Sequence, residues 1–284
     1  MKSCMPRVRR RCGACGAPAP SGTALTVILP CYNEAERLPH TLATHLAALS
    51  RRPGEVEVLV VDDGSTDQTV AVANAVAATD GRVRVIGSQP NHGKGFAVRT
   101  GALAAGGALI VFADADGSYG PAAVARVVAA LADAPVAIGS RAAGSATGPL
   151  ARWLASRLFN RAIRALLGLP FRDTQCGVKG FQRQAALEVF GRARLDGFAF
   201  DAEVLFLTRR LGLQVSEVSV RAEERDGSKV QLVVDALRML RDVLGVRRRA
   251  RSGGYGRAGD RKAPDTSSAA RSRSVEAGGA ARAG

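Results

Sequence analysis

The 284-residue chain has no apolar run long enough to cross a bilayer as a helix. Its longest, Gly101–Ala113, is 13 residues, mostly glycine and alanine. The basic N-terminus is not followed by an apolar stretch, so no secretory signal is expected. Cysteines are scarce: Cys4, Cys12, Cys15, Cys31 and Cys176 are too few for a disulfide scaffold in a chain this long. Cys12 and Cys15 form a C-x-x-C, but no histidine precedes His40, so a zinc site is not expected there. His40, His45 and His92 are too scattered for a histidine-bound catalytic metal. The P-loop and dinucleotide glycine motifs are missing, as are G-x-S-x-G and H-E-x-x-H. Nucleotide hydrolysis by a P-loop, nicotinamide chemistry, serine hydrolysis and zinc proteolysis are thereby demoted. The expected location is cytoplasmic, soluble or peripheral on a membrane face.

What is present is an apolar fraction of 46%, enough for a sizeable core, and a net charge of +15. The charge is uneven. Residues 1–24 carry +5 and residues 247–284 carry +7, leaving +3 for 25–246. Both ends are poor in large apolar residues and read as disordered basic tails flanking one domain at 25–246. Such tails are either simply solvated or drawn to an anionic membrane surface, at roughly 1 kcal/mol per nearby Lys or Arg. No specific nucleic acid partner is expected.

From Leu25 onward, short apolar runs alternate with helical stretches. The runs are Leu25–Leu29, Val56–Val61, Val83–Ile86, Ala108–Phe112 and Val136–Ile138. Between them lie Glu34–Leu49, Thr66–Ala78, Gly95–Ala105 and Pro121–Leu131. This pattern predicts an α/β fold with a mostly parallel, Rossmann-like sheet covered by helices on both faces. Further on, Pro149–Leu167, Phe198–Leu211 and Val230–Val246 read as helices and Val215–Val220 as a strand. In the last helix Val233, Leu237, Leu240 and Leu244 share a face that is expected to pack on the core.

Ligands of such sheets sit beyond the carboxyl ends of the strands. Polar clusters stand at five of those ends: Pro30–Glu34, Asp62–Ser65, Asn91–Gly95, Asp114–Gly117 and Gly139–Arg141. Asp114 and Asp116, two apart in extended backbone, point the same way. Paired hard oxygen ligands suit Mg²⁺ or Mn²⁺ on a diphosphate leaving group. The competing reading is a turn, since Asp-Gly is also a turn signal. One of Asp62 and Asp63 is expected to accept hydrogen bonds from a ribose or base, and the other to cap a helix. Lys94, between Gly93 and Gly95, offers a charge to a phosphate or to a carboxylate. Arg141, Arg152 with Ser156 four residues on, and Lys229 form a second basic group suited to another phosphate. Arg157, Arg161 and Arg164 read mostly as solvated helix charges.

These motifs resemble the GT-A-type family 2 glycosyltransferases. With Asp173–Lys179, Phe198–Glu203 and Gly227–Lys229 added, they are most similar to the polyprenyl-phosphate sugar synthases, the dolichyl-phosphate β-glucosyltransferases in particular. The resemblance spans about residues 25–246. It implies inverting, metal-dependent transfer of glucose from UDP-glucose to a polyprenyl phosphate, with GDP-mannose as the alternative donor. By resemblance, Pro30, Tyr32, Asn33, Glu34, Asp62, Asp63, Lys94, Asp114, Ala115 and Glu203 belong to the nucleotide-sugar side. Asp114 and Asp116 hold the metal. Arg141, Arg152, Ser156, Gln175 and Lys229 hold the acceptor phosphate. Asp116, Asp201 and Arg141 stand nearest the chemistry, Asp201 as a sugar ligand or a base. A retired transferase core with a basic binding role is the remaining alternative.

Overall fold

The computed structural model describes residues 22–52, 54–141, 150–222 and 232–256, without the side chains of 150–156 and 232–237. The N-terminal half alternates strand and helix: β1 (Leu25–Cys31), α1 (Leu38–Leu49), β2 (Val56–Asp63), α2 (Thr69–Thr79), β3 (Val83–Ser88), α3 (Lys94–Ala104), β4 (Leu109–Phe112), α4 (Pro121–Ala130) and β5 (Val136–Arg141). The second half holds α5 (Leu150–Leu167), β6 (Lys179–Gln182), α6 (Arg183–Phe190), α7 (Phe200–Arg210), β7 (Val215–Val220) and α8 (Leu232–Arg251).

One sheet of seven strands results, in the order β3-β2-β1-β4-β6-β5-β7. All pairings are parallel except those of β6, which runs antiparallel to β4 and β5. Period-two alternation sorts the strand residues onto two faces, and both are covered. Ile28, Leu59, Val61, Ile110 and Phe112 join the core beneath α3, α6 and α7. Leu25, Val27, Leu29, Val58, Val60 and Val111 join the one beneath α1 and α4. The expected α/β architecture is therefore present, and the chain reverses its winding between β1 and β4, where a crevice opens at the strand ends.

Several element boundaries differ from expectation. α1 begins at Leu38 rather than Glu34, because Pro39 sits in its first turn while Glu34 donates its N–H to Thr69 Oγ1. α2 begins at Thr69 rather than Thr66, because side chains of Asp62 and Asn33 hold residues 64–66 in a turn. β6 and α6 are not marked by the sequence. The strand has four residues, one of them Gly180, and no visible alternation. α8 continues through Arg251, so the expected boundary at 246 falls inside a helix. Val243 and Val246 are buried with Met239 and Ala250 packed partly buried against the same core, whereas Leu244 is 40% exposed, which corrects its place on the core face; the side chains of Val233 and Leu237 lie outside the described residues. Beyond it Tyr255 returns to the core. Cys4, Cys12, Cys15 and most of the two expected tails lie outside the described residues.

Candidate active site

The site is assembled where β6 runs against the grain of the sheet. Phe112 of β4 pairs with Lys179 at the start of β6. Because the strands are antiparallel, residues before Lys179 lie across from residues after Phe112. That register sets Gly177 beside Asp114, and a Cβ on Gly177 would stand 2.0 Å from Asp114 Oδ2. Only the missing side chain leaves room for the carboxylate. The segment Asp173–Lys179 is thereby held over the carboxyl ends of β4 and β5.

Four charged groups alternate in sign across this floor. Lys94, at the first turn of α3, is paired with Asp114. Lys179 is paired with Asp201, in the first turn of α7, and also donates to the Cys176 carbonyl at 2.6 Å. Lys179 is fully buried and lies 5.6 Å from the centre of the Phe112 ring. Burial works against the Lys94 ammonium, but Asp114, Asp201 and Asp116 outweigh it and hold its pKa above the ordinary lysine value. Burial pushes the Asp114 carboxyl upward against the pull of Lys94, with Asp116 and Asp201 adding to the rise. Asp116 accepts the Ser118 N–H at 2.8 Å in a tight turn. Among the described residues no group of three or more His, Cys, Asp or Glu side chains is placed to hold a metal by itself. The paired carboxylates offer hard oxygens that suit Mg²⁺ or Mn²⁺ provided a diphosphate completes the ligand set.

The glycines around Lys94 serve packing. A Cβ at Gly93 would stand 2.6 Å from the Asp196 carbonyl oxygen, and one at Gly95 would stand 2.6 Å from the Leu195 carbonyl oxygen. They admit the 195–197 loop, and Lys94 between them is paired with Asp114.

On the other flank, Arg141 at the end of β5 grips Asp173 through Nε and Nη2, at 2.7 and 3.1 Å. Burial opposes the Asp173 charge, yet Arg141 holds the carboxyl below its usual range. The Arg141 side chain remains 41% exposed, so a face of the guanidinium is presented outward. Gln175 donates its backbone N–H to Asp173 Oδ1. Arg152 and Ser156 fall on α5, their side chains outside the described residues, and Lys229 lies outside them altogether.

The β1 and β2 loops form the third wall. Tyr32 is exposed at 42% beyond β1, next to Pro30. Asn33, at φ 55°, and Ser65 clamp the two loops together: Asn33 Oδ1 accepts the Thr66 N–H and Ser65 Oγ accepts the Asn33 N–H, both at 2.8 Å. Glu34 is bidentate with Arg37. Asp62 Oδ2 accepts the Gly64 and Ser65 N–H groups, while its buried Oδ1 has no partner among the described residues.

Four of the residues expected on the nucleotide-sugar side make contacts within the fold. Asp63 uses both oxygens on the His92 and Gly93 N–H groups and so shapes the 91–93 turn. Asn33 is committed to the loop clamp. Ala115 turns its methyl into the core, and its carbonyl accepts from Thr41 Oγ1. Glu203 is fully buried and accepts from the Arg194 and Leu195 N–H groups and the Tyr255 hydroxyl. Lys179 and Gly177 are site residues whose individual roles the sequence left unread.

The chain matches Glycosyl transferase family 2 over residues 26–190. It is 40% identical over 238 residues to a dolichyl-phosphate beta-glucosyltransferase of Drosophila melanogaster, covering 78% of this chain and 73% of that one. This chain belongs to glycosyl transferase family 2. The glycosyltransferase is also 35% identical over 249 residues to the Homo sapiens dolichyl-phosphate beta-glucosyltransferase, covering 81% and 77% of the two chains. Among solved structures, the Mycobacterium tuberculosis glucosyl-3-phosphoglycerate synthase with Mn²⁺, UDP and glucosyl-3-phosphoglycerate superposes with a TM-score of 0.56 at 25% identity, over 81% of this chain and 80% of that one. Mannosyl-3-phosphoglycerate synthase of Rubrobacter xylanophilus shares the fold with a TM-score of 0.63 at 20% identity, over 83% and 77%. The expected GT-A fold and enzyme class are thus established for this glycosyltransferase.

Proposed function

We propose that this glycosyltransferase moves glucose from UDP-glucose to a polyprenyl phosphate of the dolichyl type, with inversion, at a membrane face. The observation that carries this reading is the Asp173–Lys179 segment, which holds an outward-facing arginine on one flank and abuts Asp114 on the other. Likeness to dolichyl-phosphate beta-glucosyltransferases over about four fifths of the chain supports the choice of donor and acceptor.

The residues divide the work between two anions. Tyr32 supplies an exposed aromatic face for the base, and Asp62 an unspent acceptor for the nucleoside. Asp114 and Asp116 fit a divalent metal, because both are hard oxygen donors beyond β4 and Lys94 engages only Oδ1 of Asp114, while the missing side chain of Gly177 leaves space for Oδ2. When bound, that metal neutralises the diphosphate and makes it a better leaving group. Lys94 adds fixed positive charge beside the departing oxygens. Arg141, already oriented by Asp173, takes the acceptor phosphate, with Arg152, Ser156, Gln175 and Lys229 as further candidates. A phosphate monoester is an anion near neutral pH, so attack needs little help from a base. Asp201 is tied to Lys179 and acts as a fixed sugar-side acceptor. Holding two anions within reach of each other is the harder task, and charge placed before the reaction meets it.

A transfer assay tests the reading. Purified protein, polyprenyl phosphate and Mg²⁺ or Mn²⁺ are incubated with labelled UDP-glucose or GDP-mannose, and label is counted in the organic extract. Glucose label that requires metal and vanishes in Asp116→Ala is expected. Label from GDP-mannose alone overturns the donor, and metal-dependent UDP-glucose binding without lipid label overturns the acceptor.

A further inference from the structure

A second basic feature lies outside the active site. A groove of about 670 Å³ opens along α5 and the segment after it. Arg157, Arg161, Arg164 and Arg172 line it together with Leu158 and Asn160, and no carboxylate is among its lining residues. Five other arginines of the described fold are paired with acids: Arg37 with Glu34, Arg82 with Asp80, Arg84 with Glu57, Arg99 with Asp196 and Arg141 with Asp173. Arg161, Arg164 and Arg172 alone bring three guanidinium groups to one concavity, where they repel one another and a bound anion relieves that repulsion. Arg164 is partly buried, and its Nε has no partner among the described residues. An anion on its outer edge therefore meets a charge already partly stripped of water.

We propose that this groove binds the phosphate of an anionic phospholipid and seats the enzyme on the bilayer. Two observations favour lipid over a free phosphate or a nucleic acid. Leu158 stands 67% exposed at the arginine rim, giving the apolar contact that suits a headgroup–acyl boundary. No aromatic side chain lines the groove, so the stacking platform of single-stranded RNA recognition is missing. The groove is also coupled to the catalytic side. The Asn160 side chain donates to the Arg172 carbonyl at 2.7 Å and accepts from the Thr174 hydroxyl at 2.7 Å. Those residues flank Asp173, which orients Arg141. This inference rests on the polyprenyl-phosphate reading, since such an acceptor lies in a membrane and its phosphate must be met at that membrane's surface.

The test uses the full chain on vesicles of neutral phosphatidylcholine, with and without an anionic phospholipid, at two salt concentrations. Arg161→Gln/Arg172→Gln removes two exposed groove charges, and Arg51→Gln/Arg210→Gln removes two exposed charges elsewhere. The groove variant should bind anionic vesicles about tenfold or more weakly. The remote variant should change little, and Arg161→Lys/Arg172→Lys should retain most of the binding. Melting curves establish that each variant is folded. Equal losses in the groove and remote variants overturn the proposal, because bulk charge then suffices. So does a groove variant that loses binding of inorganic phosphate or an RNA oligonucleotide while its vesicle affinity stays intact. Vesicle binding is read without any transfer step, so intact groove-dependent binding with no lipid product overturns the acceptor reading alone.

Discussion

Gly177 faces Asp114 so closely that a β-carbon would sit 2.0 Å from the carboxylate oxygen and 2.9 Å from the Tyr119 ring. The antiparallel register of β6 with β4 brings the two together. Gly177→Ala is expected to displace Asp114 and lower kcat at least tenfold. Overpacking of this kind costs about 1–3 kcal/mol of stability. Single-turnover kinetics with a parallel urea titration separate the two effects. Unchanged kcat would show that Asp114 need not hold its position.

Lys179 is buried with Asp201 as its partner. Lys179→Met leaves a buried carboxylate without its ammonium, a change that typically costs about 3–5 kcal/mol. The double variant Lys179→Met/Asp201→Leu should recover most of that stability without recovering transfer. Denaturant midpoints of the two variants check this, and a double variant no more stable than the single one contradicts it.

Glu203 and Tyr255 form a buried hydrogen-bonded pair. Tyr255→Phe removes the hydroxyl from a buried carboxylate and should cost about 1–3 kcal/mol. The turnover number of the folded enzyme should stay within twofold of wild type. A large fall in kcat at full folding would return Glu203 to the sugar side.

His45, on the buried face of α1, is 1% exposed, with Nε2 unpartnered among the described residues. Burial lowers its pKa from 6.5 to about 4, against a backbone hydrogen bond with Tyr119. Above pH 6.5 neither state takes up the proton and the contribution is whole. Between pH 6.5 and about 4 the unfolded chain is protonated and the folded chain is not, so stability declines through that window. The whole loss is about 3 kcal/mol. Urea melts at pH 7, 5.5 and 4.5 should show it in wild type, and His45→Gln should show a shallower decline.

Much of this protein was legible in its sequence. Alternating apolar runs and helices specified the α/β sheet, because period-two and period-3.6 patterns decide which faces are buried whatever the distant contacts are. The polar clusters at strand ends marked the site, since a parallel sheet gathers those ends along one edge. Asp114, Asp116 and Arg141 all stand at those ends. Roles within the clusters were decided only by tertiary structure. Asp62 and Asp63 are adjacent, and only the position of the 91–93 turn shows that Asp63 is spent on backbone N–H groups. Glu203 sits two residues from Asp201 on one helix, and the helical turn sends one carboxylate toward Lys179 and the other toward Tyr255. β6, which brings Gly177 to Asp114 and Lys179 to Asp201, has four residues and no periodicity to read. Its place is set by pairing with two strands far away in the chain, and that register is a property of the assembled sheet rather than of the local sequence.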